Sequence, residues 1–110
     1  VMTVTRKVLG QQAPAAATWV DLYTCGASGG AIVSTLSACN RGLTDAAVRV
    51  AIRPSGAVLA TTHYVYFDAK VPTKDTLTST IGLTLSSTDV VSVYSDTGNV
   101  SFSLFGQETT

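Results

Sequence analysis

Val48-Arg49-Val50-Ala51-Ile52-Arg53 is the stretch that decides the fold class. Successive side chains of an extended chain point to opposite faces. Val48, Val50 and Ile52 therefore share one face, and Arg49, Ala51 and Arg53 share the other. This pattern predicts an antiparallel strand with its apolar face in a core and both arginines outside. The same period runs outward in both directions. Upstream, Val4, Arg6 and Val8 alternate with Thr5, Lys7 and Leu9, which predicts an edge or arm strand. Trp19–Thr24 is a further candidate. So is Ala31–Cys39, with Ile32, Ser34, Leu36 and Ala38 expected on one face and Val33, Thr35, Ser37 and Cys39 on the other.

Downstream, strands are expected at His63–Phe67, Thr76–Leu83, Val90–Ser95 and Val100–Phe105. Gly-, Asn-, Asp- and Pro-containing corners separate them, such as Asn40-Arg41-Gly42, Pro54-Ser55-Gly56 and Asp96-Thr97-Gly98-Asn99. These residues supply positive φ or cap the backbone locally. Gly26-Ala27-Ser28-Gly29-Gly30 reads as a hairpin loop; it has no lysine and precedes a strand, so it is no phosphate cradle. Leu43–Val50 has room for one helical turn at most. The expected fold is all-β: a single antiparallel β-sandwich, jelly-roll or immunoglobulin-like, with an extended N-terminal arm. The arm and its linker take residues 1–18, ending in Gln11-Gln12-Ala13-Pro14-Ala15-Ala16-Ala17-Thr18, and the sandwich takes residues 19–110. A chain of 110 residues holds one such core.

Charge is the unusual part of the composition. Asp, Glu, Lys and Arg make up 13% of residues, about half the usual share. Seven basic and seven acidic side chains cancel. A nucleic-acid partner needs a basic surplus to neutralise phosphates, so none is expected. No membrane partner is expected either, because the sequence has no polybasic run and no stretch near ~18 consecutive apolar residues. Hydrophobic types nonetheless reach 45%, and mean hydropathy is +0.32. A weakly charged surface protects poorly against self-association, so a homo-oligomer or a larger assembly is expected to cover it.

The residues give no catalytic constellation. His63 is the one histidine, so any Ser-His-Asp or Cys-His arrangement would need it as base. It has no motif-like spacing to a nucleophile and reads as a half-exposed strand residue. Asp21, Asp45, Asp68, Asp75, Asp89 and Asp96 fall mostly at strand ends, where turn capping explains them. Asp89 in particular is placed to accept backbone amides at the Ser86–Asp89 turn. No metal and no cofactor is expected. A hairpin of Trp19–Thr24 with Ala31–Cys39 would hold Cys25 and Cys39 beyond disulfide reach, so both are expected as buried free thiols.

Several stretches together resemble small structural proteins of tailed-bacteriophage virions. They are Val8-Leu9-Gly10-Gln11 with Ala13-Pro14, Leu22-Tyr23-Thr24, Ser34-Thr35-Leu36 through Cys39-Asn40-Arg41, Val50-Ala51-Ile52-Arg53-Pro54, Tyr64 to Asp68, Ile81-Gly82-Leu83-Thr84-Leu85 through Thr88-Asp89-Val90-Val91, and Ser101-Phe102-Ser103-Leu104-Phe105-Gly106. Cys25 departs from the apolar residue usual at its position. The resemblance implies a virion-associated β-sandwich without enzymatic activity, located in the phage particle. Its partners would be other virion proteins and copies of itself. Tail, neck or fibre attachment is the placement expected first, with capsid decoration as the alternative. Candidate interface residues are Val4, Arg6, Val8 and Leu9 on the arm and Arg49, Arg53, Tyr64 and Tyr66 on the sandwich. A carbohydrate-binding receptor module is the alternative from another class, with Tyr64 and Tyr66 as the pair exposed to stack on a sugar.

Overall fold

The computed structural model describes residues 3–27, 29–80 and 82–109. Among the described residues nine strands follow in order: β1 (Val4–Gln12), β2 (Val20–Thr24), β3 (Gly30–Asn40), β4 (Ala46–Arg53), β5 (Tyr64–Val71), β6 (Thr76–Ser79), β7 (Thr84–Leu85), β8 (Val90–Ser95) and β9 (Val100–Thr109). They form two antiparallel sheets. The first runs β1-β9-β3-β6, with β7 also pairing to β3, and the second runs β2-β8-β4-β5. The chain changes sheet at β1 to β2, β2 to β3 and β3 to β4. An immunoglobulin-like chain starts by pairing its first two strands in one sheet. This order is that of a jelly roll.

The core lies between the sheets. Val48, Val50, Val91 and Val93 from the second sheet meet Val33, Leu36, Phe102 and Leu104 from the first. Removing a side chain such as Leu104 or Phe102 from water stabilises the fold by about 1.5–3 kcal/mol. The β4 reading holds: Val48 and Val50 are buried on the inner side, and Arg49 and Arg53 are half-buried on the outer side.

Two features differ from the sequence expectation for a topological reason. Gly26–Gly30 is a crossover and not a hairpin loop, because β2 pairs with β8 whereas β3 pairs with β9. Cys25 and Cys39 are free, as expected, but through their placement on this crossover and on β3; Cys25 is buried and Cys39 half-buried. The stretch Thr76–Leu83 is likewise not one strand. β6 ends at Ser79, and β7 starts at Thr84 on another part of β3.

Bulges account for the other departures. On β1, Val8 faces Phe105 and Gly10 faces Leu104, so Leu9 is an extra residue. On β3, Val33 faces Gly106 and Thr35 faces Phe105, so Ser34 is extra. An extra residue resets the face that the following side chains occupy. Ala31 and Val33 therefore point inward before the β3 bulge, and Leu36 and Ala38 point inward after it. Ile32 and Ser34, expected on the Leu36 face, are exposed instead. Residues Val4–Gln12 of the expected arm pair with β9 of the same chain, and among the described residues no strand pairs with their other edge.

Candidate functional site

Two outer faces carry the side chains that can meet a partner. On the second sheet, register places the outward residues in two rows. One row runs Asp21, Ser92, Ala51, Tyr64 and the other runs through Tyr94 and Arg49. Trp19, just ahead of β2, joins the second row with its ring 5.3 Å from that of Tyr94 and 6.0 Å from that of Tyr64. A bulge on β5 completes it. Val48 faces Ala69 and Val50 faces Tyr66, so Phe67 and Asp68 both lie opposite Arg49.

Asp68 takes φ 53° at this bulge, a left-handed conformation that aspartate tolerates better than most residues. Both bulge residues thereby reach one guanidinium. Asp68 accepts from Arg49 Nε at 2.6 Å and from a second guanidinium nitrogen at 3.3 Å. The Arg49 guanidinium carbon sits 4.4 Å from the Phe67 ring centre and 4.7 Å from that of Tyr94. Phe67 packs edge-on against Tyr64, 4.9 Å away. The Asp68 hydrogen bond pushes the Arg49 pKa up.

Arg53 anchors the neighbouring part of this face. Its Nε donates to Ser92 Oγ at 3.0 Å, and a terminal nitrogen donates to Asp21 Oδ1 at 2.9 Å. Another terminal nitrogen reaches the Ala57 carbonyl at 3.1 Å, fastening the 3-10 turn Pro54–Gly56 to the sheet. Both arginines are thus neutralised by carboxylates within their own face. Aromatic and guanidinium groups held rigidly are the types that anchor protein interfaces.

The first sheet also has an outer face. Val4, Val8 and Ile32 are 55%, 46% and 50% exposed. Ile32 lines a groove of about 400 Å³ together with Arg6, Lys7, Ser34, Phe105, Gly106 and Gln107. Strand β1 borders this groove. At the same end, Lys7 pairs with Glu108 at 2.7 Å, and Tyr23 donates to the other Glu108 oxygen at 2.8 Å. Lys7 and Tyr23 hold the Glu108 carboxyl below its ordinary pKa. Burial first, then Glu108, pushes the Tyr23 phenol up.

The expected interface residues therefore separate into three groups. Val4, Arg6 and Val8 belong to the first outer face, and Arg49, Arg53 and Tyr64 to the second. Leu9 and Tyr66 point into the sandwich: Leu9 alternates with the outward Val8 and is buried, and the extra residue Val65 on β5 turns Tyr66 onto the core. Tyr64 and Tyr66 are consequently not a pair on one surface. Trp19, Phe67, Asp68 and Tyr94 complete the second face without having been singled out for it. Strand parity links Trp19 to Asp21 and Tyr94 to Ser92, which is a signal in the sequence. His63 lies in the 3-10 turn Thr61–His63 and not in a strand, and its Nδ1 accepts from the Ala60 amide at 3.1 Å. Asp89 acts as a turn cap: its carboxylate accepts from the Ser55 and Ser86 amides, each at 2.9 Å, and these hold its pKa down.

No protein-family model matches the sequence, and no curated protein sequence does. Solved structures do. One is a chain in the acid-stable capsid structure of Helicobacter pylori bacteriophage KHP30, with TM-score 0.54 and 15% identity, covering 100% of this chain and 94% of that one. Another is in the crystal structure of the infectious bursal disease virus particle, with TM-score 0.57 and 9% identity over 99% of this chain and 30% of that one. A chain of the Gt strain of that virus gives TM-score 0.54 and 9% identity over 98% and 31%. This protein thus spans about 30% of the length of the bursal disease virus chains and nearly all of the phage one. What the chain shares with all three is the fold.

Proposed function

We propose that the protein is a non-enzymatic structural subunit of a tailed-phage virion, and that it decorates the capsid by packing against the shell and against copies of itself. The end-to-end likeness to a phage capsid chain of nearly equal length carries this reading. The surface agrees with it. A weakly charged domain with exposed Val4, Val8 and Ile32 on one outer face suits close-packed symmetric contacts. Placement at the tail, neck or fibre attachment, the first expectation, would use the same two faces.

The first outer face is the contact under this reading. Ile32→Asp and Val8→Asp place a charge on exposed positions without touching the core. Each variant is expected to keep the wild-type melting temperature within about 2 °C, since surface changes usually stay within about 0.5 kcal/mol. Incorporation into particles, read by quantitative immunoblot of purified virions, is expected to fall at least about tenfold, because about 1.4 kcal/mol of lost contact suffices for that. Wild-type levels of both variants in particles would remove this face from the assembly.

A further inference from the structure

A groove of about 280 Å³ lies on the outer face of the second sheet, lined by Trp19, Asp21, Arg53, Leu59 and Ser92. We propose that it binds one pyranose ring of a neutral saccharide, with the apolar face of the sugar against Trp19 and Leu59 and its hydroxyls on Asp21 Oδ2 and Trp19 Nε1. The inference is independent of the particle assignment.

The chemistry of the lining selects this ligand class. A pyranose has an apolar C–H face and a rim of hydroxyl donors, and the groove offers an aromatic ring beside a carboxylate. Trp19 is propped from its own side by Tyr64 and Tyr94, so little ordering is needed on binding. Asp21 Oδ1 accepts from Ser92 Oγ at 3.0 Å and from Arg53 at 2.9 Å. Among the described residues Asp21 Oδ2 and Trp19 Nε1 have no protein partner, which leaves one acceptor and one donor for a ligand.

Charge argues in the same direction. Asp21 and Arg53 cancel within the groove, so a phosphate or carboxylate ligand would meet the free carboxylate oxygen and no spare cation. The small volume is at the lower end of ligand pockets, fitting a single ring. The Arg53 contacts to Ser92, Asp21 and the Ala57 carbonyl fix the polar wall before any ligand arrives.

Trp19 is the only tryptophan in the chain, so its fluorescence reports on this groove alone. The experiment titrates the full-length protein with the methyl α- and β-glycosides of glucose, galactose, mannose and N-acetylglucosamine, alongside saturation-transfer NMR. At least one glycoside is expected to shift the Trp19 emission saturably, with a roughly millimolar dissociation constant. Saturation transfer should be strongest to the C–H protons of one ring face. Asp21→Asn is expected to weaken that binding at least about tenfold. Leu59→Asp, a change in a loop, should do the same and serves if Asp21→Asn melts early. Absence of any saturable emission change up to about 50 mM glycoside, well beyond a millimolar constant, would overturn the proposal. So would binding that survives both variants.

Discussion

Gly106→Ala is expected to destabilise the sandwich by about 3 kcal/mol, at the upper end for overpacking. Gly106 lies on β9, a strand paired on both sides, facing Lys7 on β1 and Val33 on β3. An alanine Cβ there would press into the Ile32 carbonyl oxygen, with Val33 Cα at 2.9 Å and the Ile32 carbonyl carbon at 3.1 Å. All three are backbone atoms and cannot rotate aside as a side chain would. The β3 bulge at Ser34 lies next to this pair. Gly26→Ala is the internal control, since nothing lies within 4 Å of its Cβ position. Urea melts of the two variants check the argument. A Gly106→Ala midpoint matching that of Gly26→Ala would show that the ladder relaxes around the new methyl group.

The second large effect is expected at Asn40, the last residue of β3, which is 1% exposed. Its side chain donates to the Thr44 carbonyl at 2.8 Å and to the Val71 carbonyl at 3.0 Å, and accepts from the Gly42 amide at 2.9 Å. The Val71 bond joins the end of β3 in one sheet to the end of β5 in the other. Asn40→Ala deletes all three bonds and leaves buried backbone groups without partners. At about 1 kcal/mol per bond the expected loss is about 3 kcal/mol. For a domain of this size that lowers the melting temperature by more than about 10 °C. Calorimetry reads it directly, and a shift within about 2 °C would mean that water replaces the amide at no cost.

Strand locations were legible in the sequence because period-two alternation survives wherever no bulge intervenes. β8 runs over Val90–Ser95 as expected, and β4 presents Val48 and Val50 inward and its arginines outward. Connectivity was not legible. A glycine-rich corner such as Gly26–Gly30 carries the same residue types whether it closes a hairpin or crosses between sheets. Facing was lost at each bulge. Ser34 and Leu9 are ordinary strand residues, and the extra position each represents is fixed by the partner strand β9.

The same cause limited the reading of the second outer face. Parity alone puts Arg49 with Ala51, Trp19 with Asp21, and Ser92 with Tyr94. Bringing these pairs together requires the order β2-β8-β4-β5, which no local pattern encodes. Tyr64 and Tyr66 read as one surface pair until Val65 is recognised as an inserted residue.

Quantitative mass spectrometry of purified particles, comparing the copy number of this protein with that of the major shell protein, tests the central claim most directly. Capsid decoration predicts a copy number comparable to that of the shell protein. A handful of copies per particle would place the protein at the tail or neck, and its absence from the particles would contradict the account.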